Sequence, residues 1–294
     1  MPGVVINKLV IIGVGLIGGS FALALRKAGL VTHIVGLGRS RENLQRALQR
    51  GVIDEIADDL PSALRHADVV FLAVPVGQTG VILAQISPYL EPGTIVTDAG
   101  STKQDVVTAA RSDLAGHLRN FVPGHPVAGA ELSGADAADA DLFRNKNLVL
   151  TPLDETSIEA VKQVTELWQA CGAQVSQMSA GQHDNILATV SHLPHVLAFL
   201  LMNHVSLGAK ENLDDPLRFA GSGFRDFTRI AGSSPEMWRD ICLANREALS
   251  RQIDAYQNEL TALREMLVRN DGDALESVFA SAREARLQWL KNKS

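Results

Sequence analysis

The sequence is poor in cysteine, in aromatic residues and in positive charge. Of its 294 residues only Cys171 and Cys242 are cysteines, in unrelated contexts. That excludes a disulfide framework and a cysteine-based metal site, and both read as small buried hydrophobes of a reducing compartment. Lys and Arg number 27 against 33 Asp and Glu, a formal net charge of −6, so the chain lacks the basic surface that a general nucleic-acid binder needs. No uninterrupted apolar run reaches membrane-spanning length, and the first residues lead almost directly into a β-rich stretch, leaving no room for a signal peptide. The expected location is the cytoplasm, with no membrane partner and no bound metal. Low-complexity segments and clear repeats are missing too. What remains is a globular composition, 46% hydrophobic and 20% charged, in a chain long enough for two domains with their own cores.

The most informative stretch is residues 8–26. Leu9-Val10-Ile11-Ile12 reads as a buried parallel strand. It runs into Gly13-Val14-Gly15-Leu16-Ile17-Gly18, a G-x-G-x-x-G, and apolar and small residues from Leu16 onward support a helix. The glycine pattern therefore sits between a strand and a helix, the context in which it reads as a dinucleotide site. Gly13 serves the tight turn, Gly15 lets a pyrophosphate approach the backbone, and Gly18 lets helix and strand pack closely. Leu16 and Ile17 open the helix whose N–H groups meet the diphosphate.

Strand and helix patterns alternate along the first half. Strands are expected at residues 33–37, 68–75, 94–98, 120–123 and 147–150, and helices at 40–50, with Ser40 as N-cap, and 78–90. This predicts an α/β chain with an N-terminal Rossmann-type doubly wound parallel sheet, whose ligands bind beyond the carboxyl ends of the strands. Val74 and Pro75, at the end of one such strand, join the expected cofactor contacts. After about Ser179 the strand pattern stops. Helices are expected over 180–205, kinked at Pro194, and over 218–231, 235–245, 247–268 and 273–290, giving a C-terminal all-helical domain. The expected division is 1–178 for the nucleotide-binding domain and 179–294 for a helical substrate and dimerisation domain.

An NAD-preferring site usually ends its second strand with a carboxylate for the ribose hydroxyls. Here that place reads Gly36-Leu37-Gly38-Arg39-Ser40-Arg41. Arg39 and Arg41 suit a 2′-phosphate and Ser40 offers a hydrogen bond, so NADP is expected over NAD. The polar candidates for chemistry lie in three loops and one helix. The loops are Asp98-Ala99-Gly100-Ser101-Thr102-Lys103, the segment from Gly124-His125-Pro126 to Gly134, and the segment from Gly221 to Ile230. The helix offers His183, His192 and His195.

These segments resemble the prephenate/arogenate (cyclohexadienyl) dehydrogenase family. The resemblance rests on GVGLIGGS from Gly13, DAGSTK from Asp98, GHPVAGAELSG from Gly124, HDNILATVSHLPH from His183 and SGFRDFTRIAGSSPEMWRDI from Ser222. It spans nearly the whole chain, and it implies oxidative decarboxylation of prephenate to 4-hydroxyphenylpyruvate, or of arogenate to tyrosine, with hydride transfer to NAD(P)+ in tyrosine biosynthesis. It further implies a homodimer through the helical domain. His125 resembles the acceptor of the substrate hydroxyl proton, a task suited to an imidazole with a pKa near ~6.5. Ser101 resembles the serine that hydrogen-bonds this histidine and the substrate hydroxyl. Arg229 resembles the arginine that pairs with the ring carboxylate, and His195 a histidine lining the substrate pocket. Glu131 and Asp226 resemble acidic residues of a polar network at the pocket mouth, with Trp238 near it. For His183 and His192 a structural role is expected. Ala130 stands where some members carry a hydroxyl residue, and Arg225 is a weaker candidate.

Two alternatives stand beside this reading. One is a β-hydroxyacid dehydrogenase or imine reductase; the β-hydroxyacid enzymes rely on a helical-domain lysine, absent from Gln182-His183-Asp184-Asn185. The other is an NADP-holding redox sensor without turnover.

Overall fold

The computed structural model describes residues 5–114, 116–129, 134–211 and 216–292. The first half builds β1 (Ile6–Ile12), α1 (Leu16–Lys27), β2 (Val31–Leu37), α2 (Arg41–Gln49), β3 (Glu55–Ile56), α3 (Leu60–Leu64), β4 (Val69–Leu72), α4 (Val76–Ile86), β5 (Ile95–Asp98), α5 (Gln104–Asp113) and β6 (Phe121–Val122). The six strands form one sheet in the order β3-β2-β1-β4-β5-β6, every pair parallel. The order reverses beside β1, so a crevice opens at the carboxyl ends of β1 and β4, where the glycine turn lies. Leu9, Val10 and Ile11 are sealed from solvent, as expected of a strand covered on both faces. Four aromatic residues pack together in this core. Phe21 on α1 lies 4.4 Å from Phe71 on β4 and 4.5 Å from Trp168, measured between ring centroids. Phe143 meets the same indole edge-on at 5.0 Å.

The strand at 147–150 departs from the expected single sheet. β7 (Gly124–Pro126), β8 (Asn147–Leu150) and β9 (Gln174–Gln177) form a second, three-stranded sheet, and α6 (Ile158–Ala170) connects β8 to β9. β7 runs antiparallel to β8, which pairs His125 with Val149, and β9 runs parallel to β8. The chain leaves the main sheet at Pro123, a residue without an N–H for a ladder, and turns His125 into a different layer. β9 went unread because Gln174, Ser176 and Gln177 give a short strand no apolar signal.

Helices follow. α7 (Ala180–Leu187) begins with a capping box between Ser179 and Gln182. It continues through a π-helical turn, Ala188–His192, into α8 (Leu193–Glu211). The expected irregularity at Pro194 takes this form: its missing N–H deprives the Val190 carbonyl of a donor, and the turn widens just before it. Residues 180–207 form a stretch long and apolar enough, by length and composition, to cross a membrane. Its polar His183, Asp184 and His192 are nevertheless buried within the protein. The helix expected over 218–231 is instead a short α9 (Ser222–Thr228) between two 3-10 turns, Pro216–Phe219 and Arg229–Gly232; Gly221, Gly223 and Gly232 weaken a longer helix. Then come α10 (Pro235–Ala244), with Pro235 in its first turn and Ser234 as cap, α11 (Arg246–Val268) and α12 (Gly272–Lys291).

By compactness the chain forms two units, one ending at Arg246 and one beginning at Glu247. Helices α7 to α10 thus pack into the same unit as both sheets. Val76 of α4 meets Trp238 and Ile241 of α10 in a small apolar cluster. The second unit comprises the two helices from Glu247 on, joined through Asn270 with φ 55°; the Asp271 carboxylate caps the second, accepting from the Ala274 N–H at 3.1 Å.

Candidate active site

The glycine turn separates into two roles. Gly13 has φ +101°, and a Cβ there would stand 2.3 Å from the Ala73 carbonyl oxygen. A Cβ on Gly18 would stand 2.2 Å from the Gly13 oxygen. Both positions are closed by backbone. A Cβ on Gly15 would meet nothing within 4 Å, so that face is open. Gly15 is the N-cap of α1 without a side-chain cap, and no acidic residue stands in the first turn. Unsatisfied helix N–H groups beside open space are what a diphosphate requires, so the residues fit a dinucleotide. Asn43 steadies this turn: its side-chain N–H donates to the Val14 carbonyl at 2.6 Å, and its Oδ1 accepts from the Ala135 N–H at 2.9 Å. Polar residues inside a helix carry no signature of such a role, and the sequence reading missed it.

At the end of β2, Ser40 caps α2 by accepting from the Asn43 N–H at 3.2 Å. Arg39 is exposed. Arg41, also exposed, lies 3.1 Å from Asp58, a carboxylate that the sequence reading overlooked. Val74 follows β4, and Pro75 is the N-cap of α4.

The second loop cluster is tied together by a buried carboxylate. Asp98 Oδ2 accepts from the Gly100 N–H at 2.7 Å and from Lys103 Nζ at 2.5 Å, while Oδ1 accepts from the Gly124 N–H at 3.0 Å. Neither side chain of the Asp98–Lys103 pair reaches solvent. One carboxylate thereby fixes the Ser101 loop against the strand that carries His125. Ser101 itself is half-buried and makes no hydrogen bond among the described residues.

His125 is 8% exposed, and its Nδ1 lies 2.8 Å from His183 Nε2. His183 Nδ1 lies in turn 2.7 Å from Asp184 Oδ1. Asp184 also accepts backbone N–H groups at the start of α5, from Lys103 at 2.8 Å and Gln104 at 2.9 Å. Burial pushes its carboxyl up, but the bond from His183 and those two N–H groups outweigh this and hold it below the usual carboxylate range. Burial is also the main cause that holds His125 well below an ordinary imidazole, assisted by His183, Lys103 and His192. His125 is therefore neutral and able to accept a proton. The expected serine partner is replaced by a histidine for which a purely structural role was expected. The adjacent His183-Asp184 pair was the signal available in the sequence.

Around this pair stand the residues of the helical segment. Asn245 donates to the Asp184 carbonyl at 2.7 Å and lies 3.1 Å from His192 Nδ1. Burial lowers the His192 pKa to about 4. His195 stacks on Trp238, with centroids 3.8 Å apart and planes at 21°, and its Nδ1–H donates to the Ser191 carbonyl at 2.9 Å. Burial and then the nearby Arg229 charge lower the His195 pKa. Arg229 itself is exposed, at the end of α9. His125, His183, His192, His195, Trp238 and the Arg229 charge thus come together. Asp226 and Arg225 are exposed on α9. Glu131 and Ala130 lie outside the described residues. No group of three or more metal-ligating side chains occurs among the described residues.

Comparison with known proteins decides the family. Residues 21–177 match the prephenate dehydrogenase nucleotide-binding domain and residues 179–281 the prephenate dehydrogenase dimerization domain. The chain belongs to the prephenate dehydrogenase family. It is 38% identical over 286 residues to the cyclohexadienyl dehydrogenase of Zymomonas mobilis, covering 96% of each chain. It is 40% identical over 283 residues to the prephenate dehydrogenase of Bacillus subtilis, covering 95% of this chain and 75% of that one. Its fold superposes on the crystal structure of prephenate dehydrogenase from Aquifex aeolicus in complex with hydroxyphenyl propionate and NAD+. The TM-score is 0.87 at 34% identity, over 97% and 98% of the two chains. Family membership speaks against the β-hydroxyacid dehydrogenase and sensor alternatives. It makes this chain an oxidoreductase with a pyridine-nucleotide site, and the dimerization-domain match supports a homodimer.

Proposed function

We propose that this protein oxidises and decarboxylates prephenate, or arogenate, in tyrosine biosynthesis, with His125 as the proton acceptor. The observation that carries the reading is a buried, neutral imidazole in the middle of β7, beside the loop that follows β5, in a chain of this family. With the diphosphate of the dinucleotide at the glycine turn, the nicotinamide would accept the hydride from the hydroxyl-bearing carbon.

The chain's own residues do the rest. Leu16, Ile17 and Gly18, in the first turn of α1, present backbone N–H groups to the diphosphate, while Gly13 shapes the turn, its N–H donating to the Leu37 carbonyl at 2.8 Å, and Gly15 leaves the open face; Val74 and Pro75 lie beyond the next strand. His125 draws the hydroxyl proton, and Ser101 aligns that hydroxyl. Arg229 holds the ring carboxylate without stabilising it so far that its departure slows. His195, on its indole shelf, lines the pocket, with Glu131 and Asp226 contributing acidic groups at the mouth. The working division is 1–178 for the nucleotide and 179–294 for substrate and dimerisation. The exposed Leu200 and Leu207 on α8 are apolar surface for a partner copy of the helical half, in the cytoplasm.

NADP is the expected cofactor, because exposed Arg39 and Arg41 flank the Ser40 hydroxyl where a carboxylate would select NAD. Parallel steady-state assays, prephenate and arogenate each with NAD+ and NADP+, test both points. The account expects nucleotide reduction with at least one cyclohexadienyl substrate and a higher kcat/KM with NADP+. A clear preference for NAD+ contradicts the arginine argument, and no reduction with either substrate contradicts the activity.

A further inference from the structure

The reaction proposed above is proton-neutral, and the geometry around His125 is built for that. The hydroxyl O–H bond breaks and an Nε2–H bond forms on His125. The hydride leaves the same carbon for the nicotinamide that the family's activity supplies. The bond between the ring and its carboxylate breaks, its electron pair enters the ring, and CO2 departs. The ring oxygen then takes the proton back from Nε2 as a phenol. Alcohol, carboxylate and oxidised nucleotide become phenol, CO2 and reduced nucleotide, with no proton left over. A base that lends and recovers one proton needs no path to solvent, but it needs its lone pair on the right nitrogen.

The hydrogen-bond chain settles which nitrogen that is. Asp184 accepts N–H groups from Lys103 and Gln104 and is a carboxylate, so His183 Nδ1 must carry the hydrogen between them. A neutral His183 then has its lone pair on Nε2. The 2.8 Å contact from there to His125 Nδ1 needs one hydrogen, which must sit on His125 Nδ1. The lone pair of His125 falls on Nε2, the ring nitrogen left for a substrate. The opposite arrangement needs a doubly protonated His183. That would add a second cation to a site where His183 is fully buried and the Lys103 ammonium is already enclosed.

We propose that His183 and Asp184 are positioning residues for the reaction. Asp184 fixes the tautomer of His183, His183 fixes the tautomer of His125, and together they steady the charge on His125 while it holds the borrowed proton. The pair acts through His125 and touches no substrate. The inference rests on the activity proposed above, but its first test needs no substrate.

Nitrogen NMR of the wild-type protein, labelled with 15N-histidine and free of ligands, reads the tautomers directly. Protonated Nδ1 and unprotonated Nε2 on both His125 and His183 are expected; a protonated Nε2 on His125 overturns the proposal even if the enzyme is fully active. The second test compares His183→Phe, which removes the acceptor, with His183→Gln, whose amide oxygen can still accept from His125 Nδ1–H. His183→Phe is expected to lower kcat by about 10²–10³-fold, with KM for prephenate little changed in the fraction that stays folded. His183→Gln is expected to recover roughly tenfold of that loss. Wild-type turnover in His183→Phe, or equal losses in both variants, overturns it. If the wild-type protein turns over neither cyclohexadienyl substrate, the proposed activity fails while the tautomer measurement still stands.

Discussion

A side chain's neighbours decide what it can do here, and few of those neighbours adjoin it in sequence. His125 is flagged by its place after a strand, yet what makes it a base is His183, 58 positions away and 2.8 Å distant. Lys103 is part of a recognisable loop, but its burial against Asp98 is visible only in the fold. Arg229 shows the opposite case: its residue type and its motif name it, and the structure adds that its charge bears on His195. Arg229→Ala should raise KM for prephenate roughly 10–100-fold, the worth of a charge-assisted hydrogen bond, and change kcat much less. Steady-state kinetics checks this, and an unchanged KM removes Arg229 from carboxylate binding.

Among the elements, the strand–glycine–helix unit was legible almost residue by residue, because its signal is local: an apolar run, three spaced glycines, a helical face. The second sheet was not, since three residues of β7 and a polar β9 carry no periodicity, and tertiary pairing makes them strands. The helix expected over 218–231 failed for a related reason, its glycines outvoting its amphipathic spacing. The glycine turn gives a prediction of its own. Gly15→Ala enters open space and should leave unfolding stability within about 1 kcal/mol while weakening nucleotide binding. Gly18→Ala meets backbone at 2.2 Å and should destabilise the fold itself. Urea unfolding together with nucleotide titration distinguishes them; a Gly15→Ala protein that binds nucleotide as wild type does would contradict the phosphate role.

For the whole molecule, buried neutral histidines make stability depend on pH. His192 titrates at about 4 in the folded protein against 6.5 when unperturbed, and burial displaces His125 the same way. Between those values the unfolded chain binds a proton that the folded one does not. Stability is therefore complete above about pH 6.5 and is lost as pH falls toward 4. For His192 alone the loss from pH 7 to 5 is on the order of 2 kcal/mol, readable by urea unfolding at the two pH values; an unchanged midpoint contradicts burial of the neutral rings. The whole account converges on His125, and its most direct test is the turnover of the His125→Asn protein with prephenate and NADP+, followed at the reduced-nicotinamide absorbance. A fall in kcat of about 10²–10⁴ with nucleotide affinity preserved is the predicted result. Turnover equal to that of the wild-type protein would contradict the role of this residue and the mechanism built on it.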